Sequence, residues 1–189
     1  MGANDGLVSN LSLVMGVAGA TLTGNNVLIA GIAGLLAGSI SMALGEWLSV
    51  NSSREMYANQ IKTETMEIES APEEEAEELA LIYQTRGLSP ETADLLSKQI
   101  LSDHKSALET LAREELGVDP KELGGSPWEA AITSFFLFSL GAIIPVAPFI
   151  FTSGMTALFI SIGVSALGLF GLGAAITLFT GRTVLYSGF

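Results

Sequence analysis

An all-α membrane protein is the fold class this sequence predicts: four transmembrane helices, with an acidic helical insert between the second and third. Three observations carry that prediction. Residues 6–45 hold no Asp, Glu, Lys or Arg, and none occurs between Glu129 and Arg182. From Arg54 to Glu122, seven basic residues stand against seventeen carboxylates. Mean hydropathy is positive although 15% of the 189 residues are charged. A soluble domain of this size spreads its charge over its surface, so segregation on this scale reads as membrane spans flanking one soluble insert. The expected domains are residues 1–50 (spans one and two), 51–125 (insert) and 126–189 (spans three and four).

The first apolar segment runs from about Asn4 to Thr23 and is rich in small residues (Gly16, Ala18, Gly19, Ala20). It lacks a basic n-region and a second span follows it, so it is expected to be a span and not a signal peptide. Thr23-Gly24-Asn25-Asn26 reads as a turn. The second segment, about Val27 to Val50, carries Gly34 and Gly38 in the spacing that allows close helix approach. The third follows Gly124-Gly125-Ser126-Pro127 and runs from about Trp128 to Phe151, with Pro145 and Pro148 near its far end. The fourth covers about Gly154 to Phe179. Each has about 20 residues or more, sufficient for a hydrocarbon core of roughly 30 Å. All eight Lys and Arg lie in the insert or after the fourth span (Arg182). Four spans put both regions on one side, and the excess of basic residues assigns that side to the cytoplasm. Trp47 and Trp128 then sit where an aromatic belt belongs.

Within the insert, Ser52 to Ser70 contains neither Gly nor Pro, so the second span is expected to continue as one long helix. Ala71-Pro72 breaks it, and Pro72 with Glu73-Glu74-Glu75 suits the first turn of the next helix. Gly87 is a fitting C′ residue. Ser89-Pro90-Glu91 restarts a helix to about Leu101, and Lys105 to Leu116 forms another, stopped by Gly117.

Glu64 and Glu67 are three apart on one helix, Glu75 and Glu78 three apart on the next, with seven residues between the pairs. That spacing sets each pair on one helix face, and a fold at Pro72 can bring the pairs together. Four converging carboxylates repel one another unless cations neutralise them, which suits divalent metals. Di-iron bundle proteins use comparable glutamate arrays. A solvated acidic face is the competing reading, and spacing alone does not decide between them. Glu114 and Glu115 close the last helix, where the helix dipole disfavours carboxylates. In the spans, Asp5 opens the first and Glu46 lies in the last turns of the second, one turn from Met42. Intramembrane carboxylates default to functional candidates, with plain interfacial residues as the competing reading; a methionine there usually packs, and its thioether favours softer transition metals only within a cation path.

Several classes are excluded. There is no cysteine, hence no thiolate site, and a net charge of −12 does not fit nucleic-acid binding. His104 is the only histidine, expected in a solvated link, so a His-rich metal site and Ser-His-Asp hydrolysis are out. No phosphate-binding loop occurs, so ATP-driven movement by this chain is not expected. The chain is read as a non-enzyme with no permanently bound cofactor.

Four segments resemble the vacuolar iron transporter family: Asn4-Asp5-Gly6-Leu7-Val8, Ser41-Met42-Ala43-Leu44-Gly45-Glu46-Trp47-Leu48, Tyr83-Gln84-Thr85-Arg86-Gly87-Leu88-Ser89 and Arg113-Glu114-Glu115-Leu116-Gly117. The resemblance extends over essentially the whole chain. It implies a homodimer in which cytoplasmic glutamates gather Fe²⁺ and related ions. A membrane pathway at the dimer interface then moves them out of the cytoplasm against protons. Carried over, Glu64, Glu67, Glu75, Glu78 and Glu115 are the metal ligands, and Asp5 and Met42 the pathway's carboxylate and thioether. Glu46 is a candidate for handing ions on or relaying protons. The chain departs from the family pattern at Leu111 and Ala112, where the best-known members carry a Met-Met pair. That leaves a nearly pure oxygen site and opens the metal preference to Mn²⁺, Co²⁺ or Zn²⁺. The family usually has five spans and a stretch before Asp5, so the sequence is expected to be a fragment lacking the fifth.

The sequence therefore predicts a proton-coupled exporter of Fe²⁺ and Mn²⁺ in a plasma membrane of bacterial type, its partners being divalent ions, protons, lipid and a second copy. Two other readings stay open: a divalent-cation channel gated by metal, and a non-transporting membrane anchor whose insert buffers metal or docks a partner.

Overall fold

The computed structural model describes residues 2–21, 24–117, 119 and 125–180, the last five of these as backbone. The described residues form eight helices and no strand: α1 Gly2–Ala20, α2 Gly24–Ser70, α3 Pro72–Thr85, α4 Pro90–Leu101, α5 His104–Glu114, α6 Pro127–Val146, α7 Pro148–Phe151 and α8 Gly154–Thr180. They divide into two compact units, the described parts of Met1–Leu48 with Pro127–Phe189, and Ser49–Ser126. Helix α2 contributes to both.

The first unit comprises α1, the first half of α2, α6, α7 and α8. Val14 and Ala18 of α1, Val27 of α2, Val146 of α6, Phe149 of α7 and Ala157 of α8 form its buried apolar cluster. Closest approach is at α1 and α6, where Gly6 faces the Phe138 carbonyl and Gly141 faces the Ala3 carbonyl. A Cβ at either position would overlap backbone. Small and polar groups also hold the other contacts: Gly38 against the Phe138 ring, Ser39 hydrogen-bonded to Ser139 at 2.8 Å, and Ser161 Oγ donating to the Pro145 carbonyl at 2.7 Å. Large apolar side chains point outward instead, among them Ile29, Ile40 and Leu44 of α2, Phe136 and Leu140 of α6, and Phe159 of α8. Small residues inside and large apolar ones outside are the arrangement of helices packed in lipid.

Three helices among the described residues are long and apolar enough to cross a membrane: α2, α6 and α8. The predicted first span, α1, is 19 residues long but is not one of them. Asn4, Asp5, Ser9, Asn10 and Ser12 dilute its apolar character. Two expectations are corrected. The third segment is not one helix from Trp128 to Phe151: α6 ends at Val146 and the four-residue α7 begins at Pro148. Pro148 has no N–H to continue the helix ladder, although Ala147 before it keeps helical backbone (φ −51°, ψ −41°). Gly24, Asn25 and Asn26 are not a turn but the first turn of α2. Thr23 lies outside the described residues, as do Lys121 and Arg182, two of the basic residues behind the orientation argument.

In the second unit, Ala71-Pro72 separates α2 from α3, with Pro72 at the first helical position. At the other end of α3, the Leu88 N–H bonds the Tyr83 carbonyl (3.2 Å) and the Gly87 N–H the Gln84 carbonyl (2.9 Å), with Gly87 at φ 100°. That double bond around a left-handed glycine is a Schellman stop. Ser89 caps α4 by accepting from the Thr92 N–H at 3.3 Å, and Asp103 caps α5 by accepting from the Lys105 N–H at 3.3 Å. Ile68, Leu79, Ala107 and Leu111 form the core, with Tyr83, Ile100, Leu101 and Leu108 against it.

Candidate metal site

The core of the second unit sets three glutamates face to face. Ile68 buries one face of the α2 tail, so Glu64, one turn earlier, lies on that inward face. Leu79 does the same for Glu75 on α3. Glu115 is the C-cap of α5, its N–H bonded to the Leu111 carbonyl at 2.8 Å. Carboxylate oxygens of Glu64, Glu75 and Glu115 all lie within 4.8 Å of one another. Glu64 is 3% and Glu75 6% exposed, while Glu115 reaches in from an exposed position. A cavity of about 560 Å³ is lined by Glu64, Glu67 and Glu115 with Asn59, Gln60 and Thr63.

Such crowding shifts the carboxyls toward their neutral forms. Glu64 is pushed up to about 7, first by burial, then by the charges of Glu115 and Glu75, its hydrogen bond with Glu75, and the charge of Glu67. Glu75 is raised by burial and by Glu78, Glu115 and Glu67, with its hydrogen bond from Glu64 pulling the other way. Glu115 is raised by burial, Glu78 and Glu67. One buried oxygen on each of Glu64 and Glu75, Oε1 and Oε2 respectively, has no hydrogen-bond partner. A buried acceptor without a donor is costly, and a divalent cation is what three hard oxygens in this geometry accept. Because Glu64 is about half protonated near pH 7, cation entry there must displace its proton.

Of the five glutamates singled out by sequence, three form this cluster. Glu67 and Glu78 are exposed and act on it through their charge. Glu114 has a separate role: its carboxylate pairs with the Arg86 guanidinium, tying the end of α3 to the end of α5 and so fixing Glu115 beside it. Leu111 and Ala112 are fully buried, Leu111 in the apolar core. His104 is exposed, its Nε2 3.8 Å from Glu69.

The first unit holds a second polar constellation. An open cleft of about 440 Å³ is lined by Asp5, Ser9, Asn10, Gly34, Met42 and Phe138, among others. Asp5 and Met42 thus share one cleft, and Glu46, half-buried on α2, does not line it. Sequence reasoning missed Asn10. Its signal was an amide amid apolar residues, weaker than that of a charge.

Comparison with known proteins bears on both units. The model of the VIT family matches residues 1–189. The chain belongs to the VIT family. A "Vacuolar iron transporter" of Acanthamoeba castellanii is 40% identical over 146 residues, covering 77% of this chain and 52% of that protein. The "Vacuolar iron transporter 1" of Arabidopsis thaliana is 34% identical over 193 residues, covering 100% and 76%. That of Oryza sativa subsp. japonica is 32% identical over 186 residues, covering 96% and 72%. The chain thus spans about half the length of the Acanthamoeba relative and about three quarters of the plant ones. Those relatives are named as transporters and not as enzymes. With its three long apolar helices, this VIT-family chain is a membrane protein.

Proposed function

We propose that this chain transports divalent transition metals, Fe²⁺ and also Mn²⁺, out of the cytoplasm in exchange for protons. The observation that carries the reading is the cluster of Glu64, Glu75 and Glu115: crowded, with Glu64 and Glu75 buried and one carboxylate oxygen on each of these two lacking any partner. Its support is the family membership and the printed names of the relatives. Glu67 and Glu78 draw cations toward the cluster, and Asp5 with Met42 carries them across. Glu46 is assigned to handing ions on or relaying protons. A fourth span in α1, the cytoplasmic side for the acidic unit and a homodimer complete the proposal. The plasma membrane of bacterial type is our assignment from sequence; the relatives' names point to a vacuole for those proteins. Oxygen donors dominate because Leu111 and Ala112 offer no sulfur, so Mn²⁺ is expected to compete well with Fe²⁺.

The test is flux in proteoliposomes holding the full chain, with metal entry and luminal pH followed together. Antiport requires the lumen to turn alkaline as metal enters. Metal entry without proton movement supports the gated channel instead, and metal binding without flux supports the anchored buffer. In cells, Asp5→Ala separates the classes further. Unchanged metal tolerance in Asp5→Ala, alongside lost tolerance in Glu75→Ala, would sink the transport reading.

A further inference from the structure

The side chain of Asn10 is 2% exposed at the wall of the cleft that holds Asp5 and Met42. Its Nδ2 donates to the Gly31 carbonyl at 3.1 Å and to the Ala142 carbonyl at 2.7 Å. Both partners are acceptors only, so the amide cannot be flipped: nitrogen faces them and Oδ1 faces the other way. There Oδ1 is buried and finds no donor. A purely structural clamp explains the two Nδ2 bonds and leaves the oxygen unexplained. Gly34, which also lines the cleft, stands opposite; a Cβ there would come within 2.6 Å of Oδ1. The glycine keeps the space over this oxygen open.

We propose that Asn10 Oδ1 is a neutral cation ligand, a further station on the membrane path beyond Asp5 and Met42. The proposal rests on the transport reading above. Gly2 meets Met42 while Asn10 meets Gly31 and Gly34, so α1 and α2 run antiparallel and the cleft has two ends. Asn10 is five residues from Asp5, about 7.5 Å along the helix axis at 1.5 Å per residue. Asp5 and Asn10 therefore serve successive positions and not one coordination shell. The donated Nδ2 bonds polarise the amide and increase the negative charge on Oδ1. An uncharged oxygen after a carboxylate holds a cation less tightly, which lets it move on, as conduction through several sites requires.

Two variants of the full chain test this, Asn10→Ala and Gly34→Ala, with Leu13→Ala as control because the new methyl at 34 also meets Leu13 Cδ2. Gly34→Ala removes neither carbonyl partner of Nδ2 but sets a methyl 2.6 Å from Oδ1, which denies that oxygen to a cation whether the amide shifts or is covered. KM and maximal rate for Mn²⁺ and Zn²⁺ are measured in proteoliposomes, and Tm in detergent. The expected KM for Mn²⁺ rises about tenfold in both variants, the worth of one polar contact to a charged group. For Zn²⁺, which relies less on oxygen donors, it rises by less than about threefold. Parallel loss of maximal rate for both ions, at unchanged KM and in step with a lower Tm, would overturn the proposal; so would wild-type KM values in Gly34→Ala. If Asn10→Ala does not fold, Gly34→Ala decides. A wild-type chain that passes no metal overturns the transport reading itself, whereas normal wild-type flux with an unchanged Mn²⁺-to-Zn²⁺ KM ratio overturns only the role of Asn10.

Discussion

Metal affinity at the glutamate cluster should fall steeply as pH drops from 8 to 6. The perturbation acts mainly on Glu64, whose carboxyl is pushed up to about 7 by burial and by Glu115 and Glu75. A cation binds only the ionised form, so the apparent affinity is divided by 1 + 10^(pKa − pH). That divisor is about 1.1 at pH 8 and about 11 at pH 6, so Glu64 alone weakens binding by about tenfold. Glu75 and Glu115 are raised as well and steepen the loss. Proton release accompanies binding: about half a proton from Glu64 at pH 7 and about 0.9 at pH 6. Isothermal titration of the full chain in detergent with Mn²⁺, in two buffers of different ionisation enthalpy, reads both quantities. Affinity that is flat from pH 6 to 8, with equal heats in the two buffers, would refute the link between crowding and cation binding.

The metal-free protein carries the opposite burden. Glu64 binds its proton more tightly when folded (about 7) than at its ordinary value of 4.5. Its contribution to stability is thus full below about 4.5, falls as pH rises and is lost above about 7. The melting temperature without metal is expected to decline over that window, and Glu64→Gln should flatten the decline. Leu111→Ala removes a fully buried core side chain and should cost about 2–5 kcal/mol, read by denaturation of the second unit's helices. Gly141→Ala drives a methyl into the Ala3 carbonyl and should lower stability by about 1–3 kcal/mol or more in a thermal melt in detergent. Arg86→Ala, at a half-exposed ion pair, should cost below about 1 kcal/mol. Its larger effect is expected on metal affinity, because the Arg86–Glu114 pair holds the end of α5 where Glu115 stands.

Much of the helical plan was written in local chemistry. Pro72, Gly87, Ser89-Pro90 and Gly117 act on their immediate neighbours, and the helix ends fall at or within a few residues of them. Charge segregation likewise marks out the apolar stretches without any knowledge of packing. By itself the sequence determined the all-helical class, the long α2, and a set of glutamates whose i,i+3 spacing makes them candidates. The tertiary structure decided what spacing cannot. It buries Glu64 and Glu75 and leaves Glu67 and Glu78 exposed, because only the former lie on the faces closed by Ile68 and Leu79. It also separates Glu114, paired with Arg86, from its neighbour Glu115 in the cluster. Pro148 divided a segment that hydropathy had read as one helix, since hydropathy is blind to a missing N–H. Asn10 became visible only when two carbonyls from other helices fixed its amide, a constraint that exists nowhere along the chain and only between its folded parts.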